Sequence, residues 1–542
     1  MADRPTPETV FATVFEVEAR MRDGAVLRAD VYRPRGDGPW PVLLARTPYG
    51  KKDPDVLARL DPAHATDRGY LVVVQDCRGR FGSEGLWEPL AHEGADGYDT
   101  VEWAAGLPGA DGRVGMYGAS YLGHAQWAAI GTRPPSLFAA APEFTWSDPH
   151  DGLITRDGAY ELGLMTQWTL TLGRDVLERR HADRPAERRR QLAALESAID
   201  DLVTRTYWEL PPGASVRRFD LPAPASDDHQ PGSTVPVLVV AGWFDAFLQG
   251  SIDNYVAARD SGAPAALIVG PWSHGNQTSR SSGDTDFGAA ADSATLDGAG
   301  SLLDRELDWL DRHLKSGTPE PEPPVLLFVM GVNRWRRMTT WPPDSVESSW
   351  YLRGDGSLVP DSPGPAWPPG TFCYAPDDPV PSHGGALLLP DEFPAGQFDQ
   401  YPIEQRPDVL VYTSAPLEEP LEVIGRIRVH VAAESTAASS DWIARLCDVD
   451  LDGVSRNITD GILRTSAAPT GAARKPEELV IDLWSTAHVF LPGHRVRLQI
   501  TGSCFPRWDR NGTEAAYQTV HHGPTARSRL VLPVVRSGDL HR

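Results

Sequence analysis

Short, unbroken apolar runs alternate with amphipathic stretches over the first 145 residues. Pro41 to Ala45, Tyr70 to Gln75 and Val114 to Tyr117 read as strands buried on both faces, and Gly97 to Ala105 as a helix between them. The same rhythm returns after residue 229, with strands at Val235 to Ala241 and Ala265 to Val269, a helix at Leu303 to Lys315 and a strand at Val325 to Met330. Between these blocks the pattern changes. Glu161 to Arg174 is apolar and aromatic at helical spacing, and Arg184 to Asp201 is a charged amphipathic helix with no strand signal intervening. The expected organisation is an α/β core (1–145 and 229–341) with a helical cap inserted at 146–228. Beyond Trp341 proline, glycine and aromatic residues increase, and short β-rich runs follow: Leu421 to Val431, Trp442 to Val449, Leu479 to Leu483, Arg495 to Ile500 and Arg529 to Val535. Residues 342–542 are therefore expected to form a β-sandwich.

The chemistry lies where the apolar runs end. Gly118-Ala-Ser-Tyr-Leu-Gly123 follows one strand and precedes an Ala-rich helical segment, which places Ser120 on a strand-to-helix elbow. A hydroxyl is a poor nucleophile at neutral pH, so it needs a sharply turned backbone, a base and donors for the developing oxyanion. In the usual elbow, G-x-S-x-G, the second glycine comes two residues after the serine; here it comes three after. Two later strands run into Gly242-Trp-Phe-Asp245 and Gly270-Pro-Trp-Ser-His-Gly275. Ser120, Asp245 and His274 thus follow the chain order of an α/β-hydrolase triad, each just past a strand.

These three motifs, together with Arg46-Thr-Pro-Tyr-Gly-Lys51, resemble the CocE/NonD family of serine hydrolases, which is related to the Xaa-Pro dipeptidyl-peptidases and α-amino-acid ester hydrolases. The family's motifs are G-x-S-Y-x-G, G-W-x-D, G-P-W-x-H and R-x-P-Y-x-K, so the late glycine at 123 is its own form of the elbow. The resemblance extends to Asp76–Gly85 and to Tyr374–Gly385 and spans nearly the whole chain. It implies an α/β-hydrolase core with an inserted helical cap and a C-terminal jelly-roll β-sandwich. It also implies an oxyanion hole made by the Tyr49 hydroxyl and the Tyr121 backbone N–H. Phe247 matches an acyl-pocket position of the aromatic-ester branch, and Trp168 in the cap is a candidate second wall. The amino-ester branch carries an acidic pair where this chain has Phe247 and Leu248.

The net charge of −23, from 51 basic and 74 acidic residues, opposes binding to nucleic acid or anionic membrane. Cys77, Cys373, Cys447 and Cys504 lack CxxC spacing and are expected as reduced thiols in packed positions. No signal-like N-terminus or apolar span is present, so a cytoplasmic protein is expected. His521 and His522 read as surface imidazoles, Asp96, Asp99 and Glu102 as the polar side of an amphipathic helix, and Arg188 to Arg190 as a solvated cap face. The Asp76–Gly85 turn reads as a rigid corner in preference to a substrate contact. No metal or organic cofactor is needed. The function expected is cleavage of small-molecule carboxylic esters through an acyl-enzyme on Ser120; amide cleavage and acyl transfer in a biosynthetic pathway are the alternatives for the same triad, and the sequence leaves the oligomeric state open.

Overall fold

The apolar runs of the first half assemble into one ten-stranded sheet in the computed structural model, which describes residues 11–210, 234–298, 300–315, 324–360, 362–466, 476–512 and 514–535. In spatial order the strands are Phe11–Arg20, Val26–Pro34, Leu71–Asp76, Trp40–Thr47, Ala110–Ala119, Leu137–Glu143, Val237–Gly242, Ala265–Gly270, Val325–Val329 and Arg334–Met338. The strands from Leu71–Asp76 to Val325–Val329 pair in parallel, and antiparallel strands flank them on both sides. The predicted strands are all present. The two N-terminal strands and Arg334–Met338 carry no continuous apolar run and are not among the expected strands; Leu137–Glu143 is not among them either, although it opens on the apolar run Leu137 to Ala141.

Alternation along the parallel strands sorts side chains between two helical layers. Val42, Leu44, Val73 and Met116 face the helices Glu93–Ala105, Tyr121–Thr132 and Leu248–Asp260, while Leu43, Val72, Val74 and Tyr117 face Leu302–Leu314. Strand order sets the site. Trp40–Thr47 lies between the strand that follows it in sequence and Ala110–Ala119, so the winding reverses there. A crevice opens at the carboxyl ends of strands around such a switch point, and Tyr49 and Ser120 follow the two strands that flank it.

The expected cap contains the helices Leu162–Arg180 and Pro185–Asp200, a π-helical turn at Leu202–Thr206 and a short helix at Tyr207–Glu209. Residues 211–228 of it lie outside the described residues. One correction applies: a small hairpin, Thr155–Arg156 with Ala159–Tyr160, precedes the helices, its two-residue strands being too short to leave a periodic signal.

The C-terminal part packs a seven-stranded sheet against a four-stranded one, antiparallel throughout. Its apolar interior is continuous with that of the hydrolase core, through residues such as Met330, Trp341 and Phe490. The four cysteines are free, three buried and Cys373 half-buried. His522 corrects its surface assignment. It is buried, with Nε2 2.9 Å from the Tyr412 hydroxyl, whereas His521 stays near the surface beside Glu434. Among the described residues no helix is long and apolar enough to cross a membrane.

Arg156, in the small hairpin, joins this part to the cap. It is fully buried, donates to the backbone carbonyls of Asp460 (2.8 Å) and Asp482 (3.2 Å), and its guanidinium carbon lies 3.6 Å from the centre of the Trp484 ring. Nearby, Glu161 accepts from the Trp508 indole at 2.8 Å, and Asp460 pairs with Arg507 at 2.6 Å. Arg156→Met keeps the apolar stem and removes the charged donor from both carbonyls, at about 1.5–3 kcal/mol for a hydrogen bond to a charged group. Thermal unfolding should begin several degrees lower; an unchanged melting curve would show that the bridge contributes nothing.

Candidate active site

Ser120 sits at the junction of the Ala110–Ala119 strand and the Tyr121–Thr132 helix with φ 62° and ψ −123°, a conformation that side chains rarely adopt. The strand-helix reversal requires it. Hydrogen bonds hold the turn on both sides: Ser120 N–H donates to the Glu143 carbonyl at 2.9 Å, and His124 N–H to the Ser120 carbonyl at 3.0 Å. Gly118, at φ 118°, supplies the left-handed step before it. The late glycine also has a physical reason. A Cβ on Gly123 would lie 2.9 Å from Thr145 Cβ and 3.0 Å from the Glu143 carbonyl, so this turn of the helix is pressed against the neighbouring strand end. Leu122, where the usual motif has its glycine, instead fills space over Gly118.

The loops carrying Asp245 and His274 are laced together. Phe244 N–H donates to the Trp272 carbonyl at 2.9 Å, and Trp243 N–H to the Gly270 carbonyl at 2.9 Å. A Cβ on Gly242 would meet the Trp272 carbonyl oxygen at 2.3 Å, and one on Gly270 would meet the Trp272 ring. The two motif tryptophans anchor outward, Trp243 to the Phe328 carbonyl (2.7 Å) and Trp272 to the Ala291 carbonyl (2.6 Å). This framework sets His274 Nδ1 2.6 Å from Asp245 Oδ2, while Asp245 Oδ1 accepts the Phe247 N–H at 2.7 Å. Asp245 is wholly buried and His274 partly open. A buried carboxylate in that position fixes the imidazole tautomer, leaving Nε2 as the proton acceptor.

Ser120, His274, Tyr49, Trp168 and Phe247 all line one cavity of about 650 Å³. Burial raises the pKa of the Tyr49 hydroxyl, opposed by hydrogen bonds from the Trp168 indole and with Ser120. The indole donates at 3.3 Å, which leaves the phenolic proton free to point elsewhere. Phe247 packs edge-on against His274 (5.3 Å between ring centres) and Trp146 (5.1 Å). Sequence reasoning missed Trp146, Leu153, Leu164 and Leu388 as wall residues, because nothing in their local sequence marks which side of the crevice they reach.

The Tyr121 side chain is not among the lining residues; it is buried, hydrogen-bonded to Glu93 and Leu90. The Asp76–Gly85 turn is a rigid corner, as expected, with Asp76 accepting from the Lys51 N–H at 2.6 Å and the Ser83 hydroxyl donating to the Asp76 carbonyl. It also reaches the cavity through Arg80 and Phe81. The Asp96, Asp99 and Glu102 face departs from ordinary amphipathic packing. Its carboxylates pair with Arg78 and Arg22 and receive the Ser136 hydroxyl and N–H. Among the described residues no group of three or more His, Cys, Asp or Glu side chains could hold a metal ion.

Below the elbow, Glu306 of the Leu302–Leu314 helix shares a hydrogen bond with Glu143, and Arg59 lies 3.4 Å from Glu143 Oε2. Burial, and then the Glu143 charge, push the Glu306 carboxyl well above its ordinary range, Arg59 acting in the opposite direction.

Known proteins share this architecture. The sequence profile of X-Pro dipeptidyl-peptidase (S15 family) matches residues 23–276, and that of the X-Pro dipeptidyl-peptidase C-terminal non-catalytic domain matches 316–531. Cocaine esterase of Rhodococcus sp. (strain MB1 Bresler) is 34% identical, over 97% of this chain and 99% of its own. An aminopeptidase from a marine sediment Thaumarchaeota archaeon superposes with a TM-score of 0.78 at 24% identity, covering 99% of each chain. An α-amino acid ester hydrolase does so with a TM-score of 0.72 at 23% identity, covering 97% of each. These two structures bear on the fold alone.

The buried carboxyl pair gives a pH dependence with a definite sign. Glu306 has a folded pKa above its unfolded value of 4.5, so its contribution to stability is fully present below pH 4.5 and is lost as pH rises through the folded value. Glu306→Gln should therefore gain in melting temperature relative to wild type as pH rises above 4.5. Parallel profiles for the two proteins would refute the raised pKa of Glu306.

Proposed function

The chain belongs to the cocaine-esterase (CocE/NonD) family of serine hydrolases, and from that premise we propose that Ser120, His274 and Asp245 carry out its cleavage of carboxylic esters. The observation that carries the reading is the 2.6 Å contact between His274 and a buried Asp245, at the wall of the cavity that also holds Ser120 and its hydrogen-bonded Tyr49. His274 Nε2 takes the Ser120 proton as Oγ bonds to the ester carbonyl carbon, and Asp245 stabilises the imidazolium. The Tyr49 hydroxyl and the Tyr121 backbone N–H donate to the oxyanion. With the Trp168 indole occupying the Tyr49 oxygen, the phenolic proton is directed to that charge. The tetrahedral adduct collapses as His274 returns the proton to the leaving alkoxide, which departs as the alcohol. Water, deprotonated by His274, then attacks the acyl-Ser120 ester and releases the acid.

Phe247, Trp146, Trp168, Leu153, Leu164 and Leu388 give part of the cavity an apolar wall, which supports an aromatic or medium-chain acyl group. The segment after Asp245 offers Phe247 and Leu248, both buried, in place of a carboxylate for an α-ammonium group. The four unpaired thiols suit a reducing compartment, in keeping with a cytoplasmic location. The division 1–145, 146–228, 229–341 and 342–542 agrees with where the central sheet, the cap helices and the paired antiparallel sheets lie.

Activity-based labelling with a fluorophosphonate, followed by a panel of p-nitrophenyl esters and anilides, tests the assignment. Ser120→Ala and His274→Ala should each lower kcat by about 10⁴ or more, with little further loss in the double variant. Tyr49→Phe should lower kcat by about 10²–10³ with little change in KM. Retention of most ester turnover by Ser120→Ala would end the assignment, and faster cleavage of anilides than of esters would favour the amidase alternative. Benzoyl esters should exceed matched α-amino esters in kcat/KM by tenfold or more, since one or two buried methylenes are worth about 1–3 kcal/mol. Phe247→Ala should erode that preference more than it erodes acetyl ester hydrolysis; equal erosion would remove Phe247 from the acyl pocket.

A further inference from the structure

We propose that Glu93 is a positioning residue for the oxyanion hole, tying the segment that carries Tyr49 to the residue that follows the nucleophile. The proposal rests on the role given above to Ser120. Glu93 opens the Glu93–Ala105 helix, is 2% exposed and does not line the cavity. Its Oε2 lies 2.6 Å from Arg46 Nη1, which also donates to the Glu93 backbone carbonyl at 3.1 Å. Its Oε1 accepts the Tyr121 hydroxyl at 3.0 Å. Arg46 is three residues before Tyr49, and Tyr121 is the residue after Ser120. One carboxylate therefore grips both segments that present oxyanion donors.

The grip closes into a circuit. The Tyr121 oxygen accepts the Leu90 N–H at 2.9 Å, so its proton is committed to Glu93. The Tyr121 ring lies nearly parallel to Trp168, with ring centres 6.2 Å apart and planes 22° apart, and the Trp168 indole donates to Tyr49. From Tyr49 the path runs along the chain to Arg46, across to Glu93, to Tyr121, to Trp168 and back. Arg46 is further held by Gln75 Oε1 at 3.0 Å, with Asp96 3.9 Å away and Cys77 Sγ donating to Glu93 at 3.7 Å. Burial works against the Arg46 charge, yet Glu93 foremost, with Cys77, Asp96 and Tyr121, keeps its pKa above the ordinary value.

A buried ion pair is a poor source of net stability compared with apolar packing, because both ions lose their hydration. What it gives is direction. Each bond fixes where a donor-bearing segment lies, and a displacement of about 1 Å at an active site can cost about 10²-fold in rate. Glu93 acts through Tyr121 and Arg46 and touches no reacting atom.

Tyr121→Phe tests this with the backbone N–H and the stacked ring retained. Its kcat for p-nitrophenyl benzoate should fall about 5- to 50-fold, a fraction of what loss of a whole donor costs, with KM within twofold of wild type. Affinity for phenylboronic acid, which forms a tetrahedral adduct on the serine, should fall in parallel with kcat, a response that general destabilisation would not give. Combined with Tyr49→Phe, the loss should be smaller than the product of the two single losses. Glu93→Gln should give the same signature; should it fail to fold, as loss of one partner of a buried pair allows, Tyr121→Phe alone decides. Wild-type kcat and boronate affinity in Tyr121→Phe, or a change confined to KM, would overturn the proposal while fluorophosphonate labelling of Ser120 left the hydrolase reading standing. Absence of that labelling in the wild type would sink both.

Discussion

Everything near the site depends on one constraint: a serine must be held where its backbone does not relax, at φ 62° and ψ −123°. Such a conformation costs on the order of 1–3 kcal/mol and persists only when the surroundings determine it from several sides. Here the Glu143 carbonyl holds the Ser120 amide, the following helix starts at once, and Gly123 lets that helix lie against residues 143–145. The glycine that departs from the commoner elbow spacing is the one the packing requires. A side chain at 123 would push the helix, and with it the Tyr121 N–H, away from the strand ends.

The same logic explains motif residues that carry no chemistry. Trp243 and Trp272 are not substrate walls; their indole nitrogens are tied to carbonyls of Phe328 and Ala291 on neighbouring segments. Gly242 and Gly270 are bare because the Trp272 carbonyl and ring occupy the space their Cβ atoms would need. Proximity of imidazole and carboxylate thus follows from loop packing, and their hydrogen bond completes a geometry the loops impose. Beside Tyr49 and Tyr121, buried charge does comparable work through Arg46 and Glu93.

The C-terminal sheets do more than follow the core. Their apolar interior runs into that of the hydrolase sheet, and Arg156 and Glu161, just before the cap helices, bond to Asp460, Asp482 and Trp508 across the junction. The Leu162–Arg180 helix, which carries Leu164 and Trp168 to the cavity, begins immediately after Glu161. Cavity shape is therefore tied to the stability of a region that supplies none of Ser120, Asp245 and His274.

By itself the sequence determined the parallel core, the strand-end positions of Ser120, Asp245 and His274, and the cap helices, because continuous apolar runs and helical periodicity are local signals. It also determined the family, through four short motifs. The strands Phe11–Arg20, Val26–Pro34 and Arg334–Met338, which lie outside the parallel set, were not legible, since they mix polar and apolar residues without a sustained run. His522 read as a surface residue because its burial comes from Tyr412, more than a hundred residues away. Only the tertiary structure decided that Trp168 bonds to Tyr49, that Trp146 and Leu388 share a wall with Phe247, and that Glu93 joins Arg46 to Tyr121. Each of these is a contact between distant segments, and a linear pattern records which residues prefer to be buried but not which of them meet.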